Sequence, residues 1–156
     1  MQLTRFTDVS LRVLMHLARL GPGGHATTQD IAERYNVAYN HLNKAVHHLG
    51  KAGWIASNRG RGGGIRLAVP PQTIRIGEVV RSTEPPGDVI DCLSQACPLR
   101  FACALKCALD EAHRAFYAKL DEYTLADVAR SADAALLDLA PLPESGPVPG
   151  SGGLLP

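Results

Sequence analysis

All four cysteines of this chain lie within one short segment, DCLSQACPLRFACALKC, at residues 91–107 (the cysteine segment). Their spacing, C-x4-C-x5-C-x3-C, is compatible with an iron–sulfur cluster, for which ligand spacing varies. Structural zinc sites favour a C-x2-C pair, which this sequence does not contain, so zinc is the second candidate. A redox-active dithiol and unbound, buried cysteines are the remaining alternatives. Arg100 and Lys106 place positive charge near the sulfurs and favour the thiolate form that a metal requires.

The residues that follow the first three cysteines predict a long helix. Cys103 and Cys107 are four residues apart, so they share a face of any helix that has begun there. Apolar residues then recur at steps of three and four: Leu109, Ala112, Phe116, Leu120 and Tyr123. A heptad-like stripe of this kind is typical of a helix that pairs with a second copy of the chain, and an intramolecular core helix is the alternative.

Charge is distributed unevenly along the 156 residues. Residues 1–81 contain 11 Lys and Arg against 4 Asp and Glu, whereas residues 82–156 contain 5 against 11. A basic first half predicts contact with a polyanion such as DNA. No apolar run of about 18 residues is present, and charged side chains interrupt the start of the chain, so we expect neither a membrane span nor a signal peptide. A cytoplasmic protein with reduced thiols is expected.

The basic half contains two short helices joined by a tight turn, after an opening helix in TRFTDVSLRVLMHLARLG. Thr27 or Thr28 can cap the first of the two, which is expected to end near Tyr35. A turn at Asn36 and Val37 precedes the second. That helix carries three apolar residues on one face: Leu42, Val46 and Leu49. Two helices in this arrangement are typical of a helix-turn-helix.

The next segment, WIASNRGRGGGIRLAV, predicts two strands joined by a glycine-rich hairpin. Its tip carries two arginines that can enter a minor groove or contact phosphates. The glycine run is not a P-loop, because no Lys-Ser/Thr pair follows it. A helix-turn-helix presents the start of its second helix to the bases. The candidate DNA contacts are Thr28, Tyr39, Asn40, His41, Asn43, Lys44, Arg59 and Arg61. His47 and His48 lie deeper in the helix and are expected to be solvated or packed.

These patterns predict a mostly α-helical protein with a small β wing, a winged helix-turn-helix followed by a long dimerisation helix. We expect a DNA-binding lobe at residues 1–83, closed by a short helix in TIRIGEVVRSTEP, and a cluster-binding loop at 84–107. A dimerisation helix at 108–130 and a disordered tail at 131–156 complete the chain, because the tail is rich in Ala, Pro, Gly and Ser. No convergent catalytic set is apparent, so we expect no enzymatic activity.

Several segments resemble one known family, in order and over about residues 1–130. They are MQLTRFTDVSLRVL, RGRGGGIRL, IRIGEVVRSTEP, the C-x4-C-x5-C trio and FYAKLDEYTLADV. The chain resembles the NsrR family of nitric-oxide-sensing iron–sulfur repressors, within the wider IscR-like group of winged-helix regulators. The resemblance implies a homodimer that binds operator DNA. It also implies that nitrosylation of the cluster releases the DNA and derepresses genes for nitric-oxide detoxification.

The resemblance further implies the ligands of the cluster. By position, Cys92, Cys97 and Cys103 of one subunit bind it, and Asp8 in the first helix of the other subunit is the fourth ligand. Cys107 departs from the family pattern and is the alternative fourth ligand. A 4Fe–4S cluster is expected, with 2Fe–2S as the alternative. Other functions left open are an iron- or redox-responsive regulator of the same fold, a zinc-stapled repressor, and an electron carrier or thiol redox enzyme.

Overall fold

The computed structural model describes residues 2–58, 63–87, 89–90, 92, 97, 99 and 103–130. The helices and strands within them are α1 (Arg5–Arg19), α2 (Thr28–Arg34), α3 (Tyr39–Lys51), β1 (Ile55–Asn58), β2 (Gly64–Leu67), α4 (Ile76–Thr83), α5 (Ala104–Asp121) and α6 (Leu125–Arg130). A single 3-10 turn at Pro71–Thr73 precedes α4. The predicted fold class, mostly α with a small β wing, is confirmed.

The core forms around α1, which contacts α3, α4 and α6. Thr4 caps the start of α1, because its hydroxyl accepts a hydrogen bond from the Thr7 amide at 3.2 Å. The residues that face the core recur at helical spacing and are almost fully buried: Val9, Val13, Leu14 and Leu17. We call α1 to α4, the β-hairpin and α6 the first lobe, because their apolar side chains share this core.

Helices α2 and α3 form the predicted helix-turn-helix. Thr27 caps α2 in a capping box, in which the Asp30 amide donates to the Thr27 hydroxyl at 3.1 Å and the Thr27 amide donates to Asp30 at 3.3 Å. Asn36 occupies the turn with a φ of +48°, a conformation that Asn tolerates better than most residues. Helix α3 then buries one face against α1: Leu42, Ala45 and Leu49.

Strands β1 and β2 form the wing, an antiparallel pair in which Ile55 faces Leu67 and Asn58 faces Gly64. An additional bridge joins Ile65 to Ala26, so the wing is fastened to the chain that precedes α2. A Cβ at Gly64 would lie 2.6 Å from the Ala26 carbonyl oxygen, which explains the glycine at this position. The hairpin tip at residues 59–62, with Arg59 and Arg61, lies outside the described residues.

Helix α5 packs along α4 through Phe116, Tyr117 and Leu120, which contact the core but are only half-buried. An ion pair between Arg81 and Asp121, at 2.6 Å, joins the two helices near the end of α5. The chain then turns, and the Leu125 amide donates to the Ile74 carbonyl at 2.8 Å. Helix α6 thereby returns to the first lobe, where Leu125 and Ala126 are buried.

The prediction of one helix over residues 108–130 differs from the structure. Helix α5 begins earlier, at Ala104, and ends at Asp121, and α6 is separate. The break has a local cause, because Thr124 and Asp127 form a second capping box: the Asp127 amide donates to the Thr124 hydroxyl at 3.2 Å, and the Thr124 amide donates to Asp127 at 2.9 Å. The predicted tail at 131–156 lies outside the described residues.

Candidate DNA-binding surface and candidate metal site

The exposed side of α3 carries the residues that the sequence predicts for DNA contact. Tyr39, a large aromatic residue, is 48% exposed at the start of the helix. Four further predicted residues are exposed on the same helix: Asn40, His41, Asn43 and Lys44. The helix contains no Asp or Glu, so its outer face is neutral or positive and suits an approach to the phosphate-rich surface of a duplex. Thr28, the remaining described candidate, is half-buried at the start of α2.

Sequence reasoning missed residues on the side of α3 that faces the wing. His47, Lys51 and Ser57, which were missed, line one cavity of about 490 Å³ between α3 and the hairpin together with the predicted contacts Thr28 and Asn43. His47 and Lys51 follow Asn43 at steps of four, so a helical repeat on α3 was a readable signal. The strand residue Ser57 has no such signal, because the packing of the hairpin against α3 is a tertiary feature. The two histidines also differ: His47 is exposed, whereas His48 packs edge-on against Phe6 with ring centroids 5.5 Å apart.

The described cysteines are all free thiols. Cys92, Cys97 and Cys103 are half-buried, and Cys107 is exposed. Cys103 is the N-cap residue of α5, where the positive end of the helix dipole favours negative charge. The Cys107 amide donates to the Cys103 carbonyl at 3.2 Å, so both cysteines belong to the first turn of the helix.

Within the part of the chain that the structure describes, no three Cys, His, Asp or Glu side chains lie close enough together to hold a metal ion. The sequence-predicted ligands Cys92, Cys97 and Cys103 are therefore near one another in the chain but not arranged around a common point. Their chemistry nevertheless fits an iron–sulfur cluster, because free thiols are the usual ligands and none of the three is committed to a disulfide.

Asp8 lies on α1, away from the core, with a side chain that is 51% exposed. Both of its carboxylate oxygens accept hydrogen bonds from the Arg12 Nε, at 2.9 and 3.0 Å. The pair is one helical turn apart and holds the carboxylate in a defined position on the surface. An exposed, oriented carboxylate of this kind is accessible to a second copy of the chain.

The start of α1 is tied to the residue that follows α4. Glu84 accepts hydrogen bonds from the Thr4 amide at 2.8 Å, from the Thr4 hydroxyl at 3.1 Å, and from the Thr7 hydroxyl. Burial raises the pKa of the Glu84 carboxyl, but these hydrogen bonds to its charged form outweigh that effect, and the pKa is lowered from its usual value. The helix that carries Asp8 is thus fastened to the chain that leads into the cysteine segment.

Comparison with known proteins agrees with this geometry. A small wing beside an exposed, acid-free recognition helix defines a winged helix-turn-helix DNA-binding regulator. The Rrf2 family, described as "Iron-dependent Transcriptional regulator", matches residues 3–131, and the chain belongs to this family. The HTH-type transcriptional regulator NsrR of Bacillus subtilis (strain 168) is 45% identical over 134 residues, which cover 84% of this chain and 92% of that protein. The resemblance found in the sequence is confirmed.

Solved structures give the same fold. Staphylococcus aureus CymR is 28% identical with a TM-score of 0.69, and the match covers 83% of this chain and 99% of that one. T. potens IscR has a TM-score of 0.68 over 87% of this chain and 96% of that one; at 24% identity it supports the fold alone. None of the helices in the described ranges is long and apolar enough to cross a membrane.

Proposed function

We propose that this protein is a repressor that binds operator DNA as a homodimer and releases it when nitric oxide reacts with its iron–sulfur cluster. The observation that carries the proposal is the similarity to the Bacillus subtilis regulator NsrR, which spans enough of the chain to include both α3 and the cysteine segment. The protein acts in the cytoplasm, where the DNA lies and thiols stay reduced.

Cys92, Cys97 and Cys103 are the proposed cluster ligands in each subunit. Their half-buried positions suit a cluster that must be shielded from water yet open to a small molecule. When bound, the cluster supplies iron, the centre with which nitric oxide reacts. A 4Fe–4S cluster is the preferred form, and 2Fe–2S is the alternative.

Asp8 of the second subunit is the proposed fourth ligand. It is exposed, and Arg12 fixes the direction of its carboxylate. An oxygen ligand binds iron less firmly than a thiolate, which leaves one iron open to an incoming small molecule. Cys107 is the competing ligand, because it is exposed and lies one helical turn beyond Cys103. Its use would confine the cluster to one chain.

The proposed dimer uses α5. This 18-residue helix has no fully buried residue, although one side of it contacts α4. Phe116 and Leu120 of the stripe predicted from the sequence pack on the core of the same chain, as in the intramolecular alternative. The outward side of α5 instead carries a row of small and apolar residues at steps of three and four: Leu105, Ala108, Ala112 and Ala115. Leu105 is 62% exposed in the single chain. A row of this width is typical of a helix that packs against its own copy.

In this dimer the ligand set joins the cysteine segment of one subunit to α1 of the other. That link fixes the distance between the two α3 helices, which must match the spacing of the operator half-sites. Loss of the link allows other arrangements of the dimer and lowers its operator affinity. A shift from mostly bound to mostly free DNA requires about 5 kcal/mol, which the loss of metal–ligand bonds can supply.

The test is to purify the protein without oxygen, measure visible absorption, iron and sulfide, and repeat these measurements after adding nitric oxide. Binding is measured to a duplex that the protein selects from a random DNA pool. We expect brown protein that binds the duplex, and both the colour and the binding should be lost with stoichiometric nitric oxide. A colourless protein that contains zinc would contradict the proposal and favour a zinc-stapled repressor.

A second candidate is an iron-responsive regulator of the same fold, which the description of the family as iron-dependent favours. Here an iron chelator, rather than nitric oxide, should control operator binding at physiological concentrations. Brown protein that keeps its duplex affinity after nitric oxide and loses it with the chelator would replace the first proposal with the second.

A further inference from the structure

The cavity between α3 and the hairpin, here called the α3–wing cleft, has a floor and a rim of different chemistry. Ile55 and Ile65 form an apolar floor and are almost fully buried. The rim carries hydroxyl, amide, imidazole and ammonium groups: Thr28, Asn43, His47, Lys51 and Ser57. None of the residues that line the cleft is acidic. A cleft that offers the ammonium group of Lys51 and several hydroxyl, amide and imidazole donors, with no carboxylate, is suited to an anion.

The rim side chains are available to an external ligand. Among the described residues, those five side chains make no hydrogen bond or ion pair with one another or with a neighbour. His48 is different, because it lies 3.4 Å from the Ser82 hydroxyl and packs on Phe6. The donors of the cleft are therefore not used to stabilise the fold.

Gly50 leaves space in the wall of the cleft. It lines the cavity from the α3 side, and a Cβ built there would find only the Ile55 carbonyl oxygen, at 3.8 Å. The conformation of Gly50 is that of an ordinary helical residue, so the backbone does not require glycine. The absence of a side chain keeps the cleft between α3 and β1 open at this level.

The geometry of a duplex places a phosphate row opposite this cleft. In the proposed complex α3 occupies the major groove and the wing tip approaches the minor groove. One sugar–phosphate backbone separates any major groove from the adjacent minor groove, so this backbone must cross between α3 and the hairpin. Among the described residues, those that line the α3–wing cleft lie between these two elements.

We infer that the α3–wing cleft binds one backbone phosphate of each operator half-site, with Lys51 as the charged contact and Ser57 and Thr28 as hydroxyl donors. His47 lies on the α3 wall and donates an N–H to the same group. This inference rests on the proposed function and goes beyond it, because it adds His47, Lys51 and Ser57 to the DNA contacts and assigns them to phosphate rather than to bases. The site therefore positions the protein on DNA without reading sequence.

The experiment replaces single phosphates of a selected duplex with uncharged methylphosphonates, one position at a time. The probe is the duplex that the full-length wild-type protein selects from a random pool. For the wild type, one position in each half-site should weaken binding. Lys51→Gln should bind the unmodified duplex about tenfold more weakly and with a shallower salt dependence. It should also show no further loss when the phosphate at that position is neutralised.

Two variants serve as controls. Lys44→Gln removes the same charge from the same helix at a residue that does not line the cleft, so it should weaken binding but keep the methylphosphonate sensitivity. Ser57→Ala removes only a hydroxyl from an exposed strand position and should reproduce a smaller part of the Lys51→Gln effect. Thermal unfolding of each variant shows whether the fold is intact.

The outcomes separate this inference from the proposal on which it rests. Lys51→Gln with wild-type affinity, or with unchanged sensitivity at every phosphate, would overturn the phosphate site and leave the operator-binding function standing. A wild-type protein that selects no duplex at all would overturn both. The phosphate site would be supported if Lys51→Gln no longer responds to a methylphosphonate at one position per half-site while Lys44→Gln still does.

Discussion

In the first lobe α1 buries six residues and α3 buries three, whereas α5, the longest helix at 18 residues, buries none. The capping boxes at Thr27 and Thr124 also lie in the first lobe, where they define the start of α2 and α6, although α3 and α4 begin without a side-chain cap. Cys103 caps α5 without a side-chain hydrogen bond. The first lobe therefore differs from the cysteine segment and α5 in the interactions that determine its structure. Apolar burial and local caps specify the first lobe, whereas the cysteine segment and α5 present groups that a cofactor and a second subunit can use.

In the proposed function this difference places stability in the first lobe and the response to the signal in the cysteine segment. A lobe that is stable by its own packing can keep its recognition helix intact while the attached segment changes state. Under the proposed function a small molecule acts on the cysteine segment, and a signal of a few kcal/mol can only shift an equilibrium of similar size. Glu84 lies at the boundary of the two regions, since it accepts hydrogen bonds from the start of α1 and directly follows α4, ahead of the cysteine segment.

The largest expected effect comes from removing the thiols. Cys92→Ala, Cys97→Ala or Cys103→Ala should give colourless protein without specific operator binding, because three thiolates are the minimum protein ligand set proposed for the cluster. Iron and sulfide content, visible absorption and duplex binding measure the loss. The helical circular dichroism of the first lobe should remain, because its core includes none of these cysteines.

Cys107→Ala is the matched control for those variants, and we expect it to keep the cluster. Brown protein from all three of the other variants would show that the ligand assignment is wrong. Loss of colour in Cys107→Ala would move the fourth ligand from Asp8 to Cys107 and confine the cluster to one chain.

A second set of variants changes the core of the first lobe and leaves the cysteines intact. Leu14→Ala should lower the free energy of unfolding by about 3 kcal/mol, because Leu14 is fully buried and its truncation leaves a cavity. Leu20→Ala makes the same chemical change at a residue that is 42% exposed and should cost less than about 1 kcal/mol. Denaturant unfolding of the two variants provides the measurement. Equal losses would show that burial does not distinguish these positions.

A smaller effect is expected at the tip of the wing. Arg59→Ala should weaken operator binding by about 1–3 kcal/mol if its guanidinium reads the groove, and it should leave unfolding unchanged. Arg114→Ala, an exposed arginine on α5, controls for the loss of one positive charge. Unchanged operator affinity in Arg59→Ala would remove that arginine from the DNA interface.

Local patterns in the sequence predict most of the first lobe. Thr27 as a cap, the apolar repeat of α3 and the glycine-rich hairpin each act over a few residues, and the structure confirms them. The end of α5 was missed although TLAD is a readable capping box. The apolar stripe continues as far as Tyr123 and favours one long helix, whereas in the structure the burial of Leu125 and its hydrogen bond to Ile74 turn the chain back to the first lobe.

The sequence predicted which residue types form the candidate sites but not how those residues are arranged in space. The types and spacing of the cysteines indicate a metal ligand set, whereas spacing alone does not describe how the chain between them arranges the sulfurs, nor, in the proposed dimer, what a second subunit adds. His47 was expected to be solvated or packed, and its place in the cleft requires the hairpin to fold against α3. The contact between Thr4 and Glu84 joins residues 80 positions apart, which no local pattern can indicate.

Glu84→Gln tests the link between the start of α1 and the end of α4 and is expected to have the smallest effect. The amide still accepts hydrogen bonds from Thr4 and Thr7 but without a negative charge, so the free energy of unfolding should fall by about 1 kcal/mol at pH 7. Gln also fills the same volume, so the packing of α1 should not change. Chemical denaturation at a series of pH values measures the difference between the variant and the wild type.

The pH dependence of that difference identifies its cause. Because the pKa of folded Glu84 lies below its usual value of 4.5, the charged carboxylate stabilises the fold fully above that value. The stabilisation is lost as the pH falls through the lowered pKa, so the wild type should converge on Glu84→Gln in acid and separate from it towards neutral pH. A difference that stays constant across this range would show that the variant acts through packing. In that case the carboxylate would not be what holds α1 to the end of α4.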